Sequence, residues 1–388
     1  MPADGDTRNV EARTYGGVRE VDAATWDALA HPPGAPYNPF TSHAFLTALE
    51  ASKSVGDGTG WHALPVIVSR DGAPVAAAPL YAKQHSQGEY VFDHHWAAAF
   101  ERAGGRYFPK LVVAAPFTPA QGPRFLAADD AGRRLAAAGV LGVAAQAGVS
   151  SVHVNFVDEA DAAAGGEAGM MLREGVQYHW FNRGYATFDE FLDQLASRKR
   201  KTIRRERRDA AASGLAIKRL QGAEITERHW DAFWTFYQDT GARKWGMPYL
   251  TRSFFRIVAE TMTDDLLLIV AESDGEPIAG ALNFIGGDAV YGRYWGCVEH
   301  RPFLHFELCY HQAIDFAIER GLARVEAGAQ GEHKIARGYE PVATRSLHWI
   351  ADPGFREAIA RYLEQERSQT EAEIDILGRY APYKKTSS

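Results

Sequence analysis

Cysteine is nearly missing from this chain of 388 residues: Cys297 and Cys309 are the two present, and no CxxC pair occurs. That excludes a disulfide framework and a structural zinc site of the usual spacing. Two free thiols, suited to a reducing compartment, are the expectation. No stretch approaches the ~20 uninterrupted apolar residues of a membrane span. The opening MPADGDTRNV also lacks the basic start and apolar run of a secretory leader. A soluble, cytoplasmic protein without a membrane span is expected. A basic excess is lacking too, since the formal net charge is −7. This argues against a general nucleic-acid binder, DNA included, and confines any polyanion site to a local patch. No heptad repeat or apolar seam speaks for an oligomeric state.

What is present is a large core. At 46% hydrophobic residues the length favours two domains over one. The boundaries are expected at residues 1–20 for a flexible tail, 21–178 for a first domain and 179–388 for a second that ends in a helix. An internal repeat supports the division. VIVSRDGAPVAAAPL (66–80) and IVAESDGEPIAGAL (269–282) each run an apolar strand into Asp-Gly and out into a second strand, and Gly275 follows Gly72 by 203 positions. Asp-Gly between apolar runs predicts a hairpin, because both turn residues adopt positive φ readily. Downstream, EYVFDHHW (89–96) and AVYGRYWG (289–296) read as aromatic strands. In the second half LHFELCYHQAIDFAIERGL follows, with Leu304, Leu308, Ile314 and Ile318 near one helical face and Gly321 as the stop. Hairpin, strand, helix, strand (ARVEAGA) and then a glycine-rich loop describe an α+β or α/β unit whose site lies at strand ends.

Between the halves lies SRKRKTIRRERR (197–208), the densest charge run, preceded by the helical pattern of Phe188, Phe191, Leu192 and Leu195. Arg198, Lys201, Arg205 and Arg208 fall on one stripe of a helix, with Arg204 alongside. A solvated surface explains such a run. So does a phosphate-rich ligand such as tRNA, which would relieve the like-charge repulsion.

KQHSQGEYVFDHHW, YFPKLVVAAPFTPAQGPRFL, RKRKTIRRERR, YGRYWG, LHFELCYHQAIDFAIERGL and EAGAQGEHKIARGYEP together resemble the bacterial family labelled "peptidoglycan biosynthesis/recognition". That family is similar to the Fem-type peptidoglycan-bridge ligases within the GNAT-fold N-acyltransferases. The resemblance runs from about Asn38 to about Glu366. It implies tandem GNAT-like (acyl-CoA N-acyltransferase) domains, each a mixed sheet flanked by helices. It also implies transfer of an acyl or aminoacyl group to an amine. Glu326, Gly328, Lys334 and Gly338 fit the acid, glycine, lysine and glycine that follow a strand in the second domain of Fem-type ligases. The phosphate-cradling Gln/Arg-x-x-Gly-x-Gly/Ala of CoA-dependent relatives is not evident in either half. The donor, acyl-CoA or aminoacyl-tRNA, thus stays open as a co-substrate, with no cofactor permanently bound. The acceptor is a small-molecule or peptide amine. The alternative is a non-catalytic module that binds a cell-wall precursor or peptide in the cleft between the domains.

Such a transfer needs a neutral amine, a stabilised oxyanion and a protonated leaving group. In the loop EAGAQGEHKIARGYEP, Gly328 and Gly331 let the backbone approach a ligand, while Lys334 and Arg337 offer cationic donors. An ordinary lysine is a poor base at neutral pH, so Lys334 is given a charge role. Glu326 is assigned the amine proton or an ammonium substrate, with His333 as a second candidate base. A salt bridge that closes the loop would account for Glu326 and Lys334 equally. Tyr294 is a candidate proton donor to the leaving group. As substrate-binding candidates we take Lys83, His85, Glu89, Tyr90 and Asp93 in the first half, Arg124 after its proline-rich approach, and Arg293, His305, Glu307 and Arg337 in the second. His94 and His95 would point to opposite faces of a strand, which excludes a joint metal site.

Overall fold

The structure is a computed structural model that describes residues 9–212, 214–244, 248–328 and 331–384. The chain divides into two compact units, Met1–Gly175 with Thr344–Gln369, and Val176–Ala343 with Thr370–Ser388. The crossing between Gly175 and Val176 lies close to the division read from the sequence. Residues 344–369, read there as part of the second domain, return to the first.

The first unit runs β1 (Val10–Thr14), α1 (Ala23–Ala30), α2 (His43–Ala51), β2 (Trp61–Ala63), β3 (Val66–Arg70), β4 (Ala73–Ala78), β5 (Leu80–Lys83), α3 (His94–Arg102), β6 (Lys110–Val113), α4 (Asp130–Ala147), β7 (Ser151–Val157) and α5 (Glu159–Glu167). Strand β8 (Met171–Phe181) then carries the chain onward. Residues 10–14 are not a tail. They pair antiparallel with β3, while the first eight residues of the expected tail lie outside the described ones. Strands β2, β5, β6 and β7 lie side by side, with β6 and β7 parallel across α4. Helix α4 starts where the Asp129 carboxylate accepts from the Gly132 amide and stops at Gly148 in the left-handed region. Its face of Ala136, Ala137, Val140 and Ala144 packs on Val66, Leu111, Val152 and Val154.

The second unit runs α6 (Phe188–Asp193), α7 (Ser197–Ala211), β9 (Ala216–Gln221), α8 (Glu227–Lys244), α9 (Arg252–Thr261), β10 (Leu266–Ser273), β11 (Glu276–Ile285) and β12 (Ala289–Cys297). There follow α10 (Leu304–Phe306), a π-helical turn (Glu307–His311), α11 (Gln312–Glu319), β13 (Arg324–Glu326), a 3₁₀ turn (Glu332–Arg337) and β14 (Glu340–Ile350). The helix α12 (Pro353–Gly378) ends the order. The sheet order is β8-β13-β12-β11-β10-β9. From β14, His348 pairs with His153 of β7 inside the first unit. Ile359 and Leu363 of α12 pack there on Trp96 and Tyr107, which explains why 344–369 belong to that unit.

Both Asp-Gly pairs form the expected turns with nearly the same backbone: φ of 52° and 80° at Asp71 and Gly72, and 51° and 81° at Asp274 and Gly275. Each hairpin also carries a bulge just before its turn, at Val68/Ser69 and at Ala271/Glu272. In each unit an antiparallel strand, a helix and a parallel strand follow, so the repeat is one of topology as well as of sequence. The counterpart of β12 is β6, however, and not residues 89–96. Gly88 at φ 79° and Tyr90 at φ 59° break the extended run, and His94 opens α3 with His95, both exposed.

The amphipathic segment 304–319 buries Leu304, Leu308, Ile314 and Ile318 as read, and Gly321 sits at φ 64° beyond its end. The π turn inside it could not be read from the spacing. Close packing of α8 on β12 needs Gly296, where an added Cβ would stand 2.2 Å from the Phe236 carbonyl oxygen. Gly296→Ala is therefore expected to cost ~2–3 kcal/mol by forcing backbone apart, read as a lower urea midpoint. Among the described residues no helix is long and apolar enough to cross a membrane, and neither cysteine forms a disulfide.

Candidate active site

Strands β12 and β13 run parallel for three residue pairs, Ala289↔Arg324, Val290↔Val325 and Tyr291↔Glu326. There β13 ends, while β12 continues to Cys297 paired with β11. The sheet opens at the carboxyl ends of the two strands, the usual place for a site in such sheets. At the opening β12 carries a bulge: Leu282 pairs with Tyr294 and Asn283 with Gly292, which leaves Arg293 as the extra residue. A bulge re-aims a side chain.

Glu326 stands at this strand end, buried, with Arg324 Nε 2.9 Å from Oε1 and His179 Nε2 3.8 Å from Oε2. Residues 324 and 326 share a face of the strand, and His179 lies opposite Glu326 in the pairing with β8. Oε2 has no hydrogen-bond partner among the described residues. One oxygen thus closes a salt bridge, and the other is left for something else.

Lys334 follows on the 3₁₀ turn between Gly331 at φ 112° and Gly338 at φ 92°. Its side chain is 2% exposed, and Nζ donates to the Gly328 carbonyl at 2.8 Å. Burial pushes its pKa down to about 7; Cys309 nearby opposes the shift, and the Arg293 cation adds to it. The charge role read from the sequence assumed a lysine of ordinary pKa, which this burial does not leave it. A lysine that loses its proton near neutrality can accept one from an amine.

Burial likewise lowers the pKa of His179, with the Glu326 carboxylate acting against it and Arg324 and Lys334 with it. His179 therefore lies beside Glu326 and feels the charge of Lys334. It was missed in the sequence, although polar Gln177 and His179 alternate with aromatic Tyr178 and Trp180 along the strand, and that was the available signal. Ala329 and Gln330, inside the loop motif, lie outside the described residues.

Around the loop the structure sorts the remaining candidates. His333 is exposed and its Nε2 lies 2.8 Å from the Tyr310 hydroxyl. His305 packs on Trp295 at 5.1 Å and on Tyr310 at 5.3 Å between ring centroids. Arg337 stacks over Phe306 at 3.3 Å and donates to Glu206 at 2.7 Å and to the His333 carbonyl at 2.8 Å.

Tyr294 does not join this group. Its ring packs on Tyr237 and Phe255, inside an aromatic cluster. Tyr310 occupies the place expected of it, and burial raises the Tyr310 pKa, so the phenol keeps its proton. Glu307 is not a cleft group either. It is buried and bound by Arg207 at 3.2 Å and Gln312 at 2.7 Å. Its place in the π turn aims it at α7.

In the first unit Lys83, His85, Glu89 and Asp93 do come together, as a buried cluster. Trp61, Lys83 and Lys110 stand opposite one another on β2, β5 and β6. Lys110, which the sequence reading passed over, is fully buried and spends its three hydrogens on Ser86 at 3.0 Å, Glu89 at 2.9 Å and Asp93 at 2.5 Å. Lys83 lies 3.8 Å from the Trp61 ring centre and donates to the Gln87 carbonyl at 3.0 Å. His85 bridges Lys83 and the Thr59 carbonyl.

Burial moves Lys83 down to about 7 and Glu89 up to about 7. For Asp93, burial works upward but the ammonium of Lys110 prevails and holds it low. The chain of contacts continues from Asp93 through Tyr107 (2.7 Å) and His153 (3.2 Å) to His348 (2.7 Å). Tyr90 is half-buried on the same loop.

Arg124 does not face a ligand. It is fully buried, and its guanidinium donates to the Ala120 and Pro123 carbonyls at 2.6 and 2.9 Å, so it ties its own stiff loop. Among the described residues no three His, Cys, Asp or Glu side chains gather as metal ligands.

A family model described as peptidoglycan biosynthesis/recognition, FemAB-like, matches residues 17–385. The chain belongs to this FemAB-like family. FemX is similar in structure at a TM-score of 0.52 and 15% identity, over 88% of this chain and 98% of that one. L-PGS from Bacillus licheniformis is similar at 0.51 and 12%, over 91% and 99%. The C-terminal domain of a putative lysylphosphatidylglycerol synthetase from Agrobacterium fabrum is similar at 0.51 and 10%, over 90% and 96%. No curated protein matches. The FemAB-like chain thus shares the fold of these structures, a mixed sheet flanked by helices in two repeated units.

Proposed function

We propose that this FemAB-like protein is an N-acyltransferase. It passes an acyl or aminoacyl group from an activated donor, an acyl-CoA or an aminoacyl-tRNA, to the amine of a peptide or cell-wall precursor. Transfer is by direct attack, without a covalent enzyme intermediate. The observation that carries this reading is Lys334: a buried lysine poised near neutrality on a glycine-bracketed turn beside the opening between β12 and β13.

The bond-making follows from the groups around it. The amine nitrogen adds to the ester or thioester carbonyl, and backbone donors at the opening between β12 and β13 receive the developing oxyanion. The ammonium proton passes to Lys334, while the unpaired Oε2 of Glu326 holds and orients the incoming nitrogen. As the carbon–oxygen bond of an ester donor breaks, the Tyr310 hydroxyl protonates the leaving oxygen and is restored through exposed His333, whereas the sulfur of a thioester donor departs as the thiolate.

Labelled acyl-CoA and mixed aminoacyl-tRNA, each incubated with a panel of primary amines that includes muramyl peptides, test the reading. Amide product from one donor is expected. Glu326→Gln, which keeps the shape and removes the charge, should lower kcat/KM by roughly 10²-fold. No amide from either donor across the panel would sink the enzyme reading and leave a binding module.

A further inference from the structure

Helix α7 carries eight basic residues within 197–208, and the structure divides them into two sets. Four have acidic partners: Arg200 with Asp193 at 3.2 Å, Arg204 with Asp189 at 2.9 Å, Arg207 with Asp315 at 2.6 Å, and Arg208 with Asp209 at 3.7 Å. Arg198, Lys199, Lys201 and Arg205 have none among the described residues.

These four are the residues that line two adjoining cavities, which share Arg198 and Thr202. One, of about 320 Å³, reaches Arg337 and Glu206; the other, of about 540 Å³, reaches Ser197, Lys201 and Arg205 at the start of the helix. The first turn of α7 has no side-chain cap, so its amides add to the positive field.

At the floor, the Arg337 side chain is 9% exposed, and its Nε has no partner among the described residues. Glu206 also lines that cavity, but its charge is matched by Arg337, so the four unpaired cations set the sign. Like charges at helical spacing repel, and a bound polyanion removes that cost.

We propose that this face of α7 binds two or more closely spaced phosphates of one ligand. Resting on the transfer reading above, it is where the anionic part of the activated donor is held. Arg198, Lys199, Lys201 and Arg205 grip the phosphates from the helix. Arg337 meets them from the floor, one 3₁₀ turn beyond Lys334 and on the same side of that turn. Phosphate occupancy is thereby tied to the loop that carries the reactive lysine. The shared chemistry is a pyrophosphate or consecutive phosphodiesters, which a nucleotide cofactor or an RNA end would supply.

Titration calorimetry of the full chain with inorganic pyrophosphate, 3′,5′-ADP and a short single-stranded RNA, at 50 and 200 mM salt, tests this. At least one should bind, with log K falling by roughly 0.7 per phosphate contact for each unit of log salt if it is the RNA. Binding by the nucleotide alone would point to a cofactor donor, and salt-steep binding by the RNA alone to an RNA-borne one. The triple variant Arg198→Ala, Lys201→Ala, Arg205→Ala should weaken binding at least roughly 10²-fold. Arg204→Ala, which removes a paired cation, should leave it within about twofold.

Equal loss from Arg204→Ala would reduce the effect to net charge and overturn the proposal, as would no binding by any of the three probes. Transfer with an unchanged donor KM in the triple variant would refute the phosphate site but leave the transfer reading standing. Phosphate binding without transfer from any donor would do the reverse.

Discussion

Replacing Lys334 by methionine is expected to lower turnover by about 10²- to 10⁴-fold, the usual worth of a positioned proton acceptor, and to leave the fold and donor binding in place. Methionine keeps the length of a side chain that is almost wholly buried and removes its charge. The pH profile is the sharper measurement. If Lys334 accepts the amine proton, kcat/KM of the unmodified protein rises as pH passes through about 7 and then levels. Had the lysine acted by its charge, activity would fall above that pH.

Stability gives an independent check, because the folded pKa lies below the ordinary value of about 10.4. Between about 7 and about 10.4 the unfolded chain binds more proton than the folded one, so the contribution of Lys334 to stability grows with pH across that window. Below about 7 the ammonium is buried at its full cost. Lys334→Met removes that cost, and its stability relative to the parent should improve as pH falls. Selective acetylation of Lys334, followed by mass spectrometry, should titrate with a midpoint near 7. A midpoint near 10 would end the assignment.

Lys110→Met is expected to be the most damaging single change in the first unit. The lysine is the shared cation of two buried acids, each of which already has one oxygen without a hydrogen bond. Breaking a buried pair by removing one partner typically costs ~3–5 kcal/mol, which for a unit of this size lowers the melting temperature by roughly 10 °C. Tryptophan fluorescence reports it, since Trp61 and Trp96 lie in that unit. The double change Lys110→Met, Glu89→Gln should recover part of the loss, because the uncharged amide removes one of the two orphan anions and leaves only Asp93. No recovery would mean that packing around the Lys110 stem, and not charge, holds the loop 84–93.

Much of the fold was legible in local pattern. The two Asp-Gly hairpins were visible because a turn of positive φ leaves a direct mark on residue choice. The 304–319 segment was visible because burial of one face imposes the helical period. The turns of the loop from Glu326 to Gly338 were also legible, since Gly328, Gly331 and Gly338 mark positions of positive φ. The errors share one cause. EYVFDHHW looks extended until Gly88 and Tyr90 turn the chain and Lys110, fourteen residues past Trp96, draws Glu89 and Asp93 inward. Tyr294 and Tyr310 are indistinguishable as letters, yet one sits in an aromatic core and the other against His333.

By itself the sequence determined the doubled hairpin-strand-helix-strand plan, the basic run and the glycine-bracketed loop, because those depend on neighbours within a few residues. Only the tertiary structure decided which of these groups are buried, paired or left open. Desolvation by distant strands moved Lys334 toward neutrality. Pairing with β8 brought His179 to Glu326, and acids outside the helix, Asp189, Asp193 and Asp315, paired with Arg204, Arg200 and Arg207 of α7 while four of its eight cations stayed without an acidic partner among the described residues. Burial and charge pairing are sums over contacts remote along the chain, and no local pattern records them.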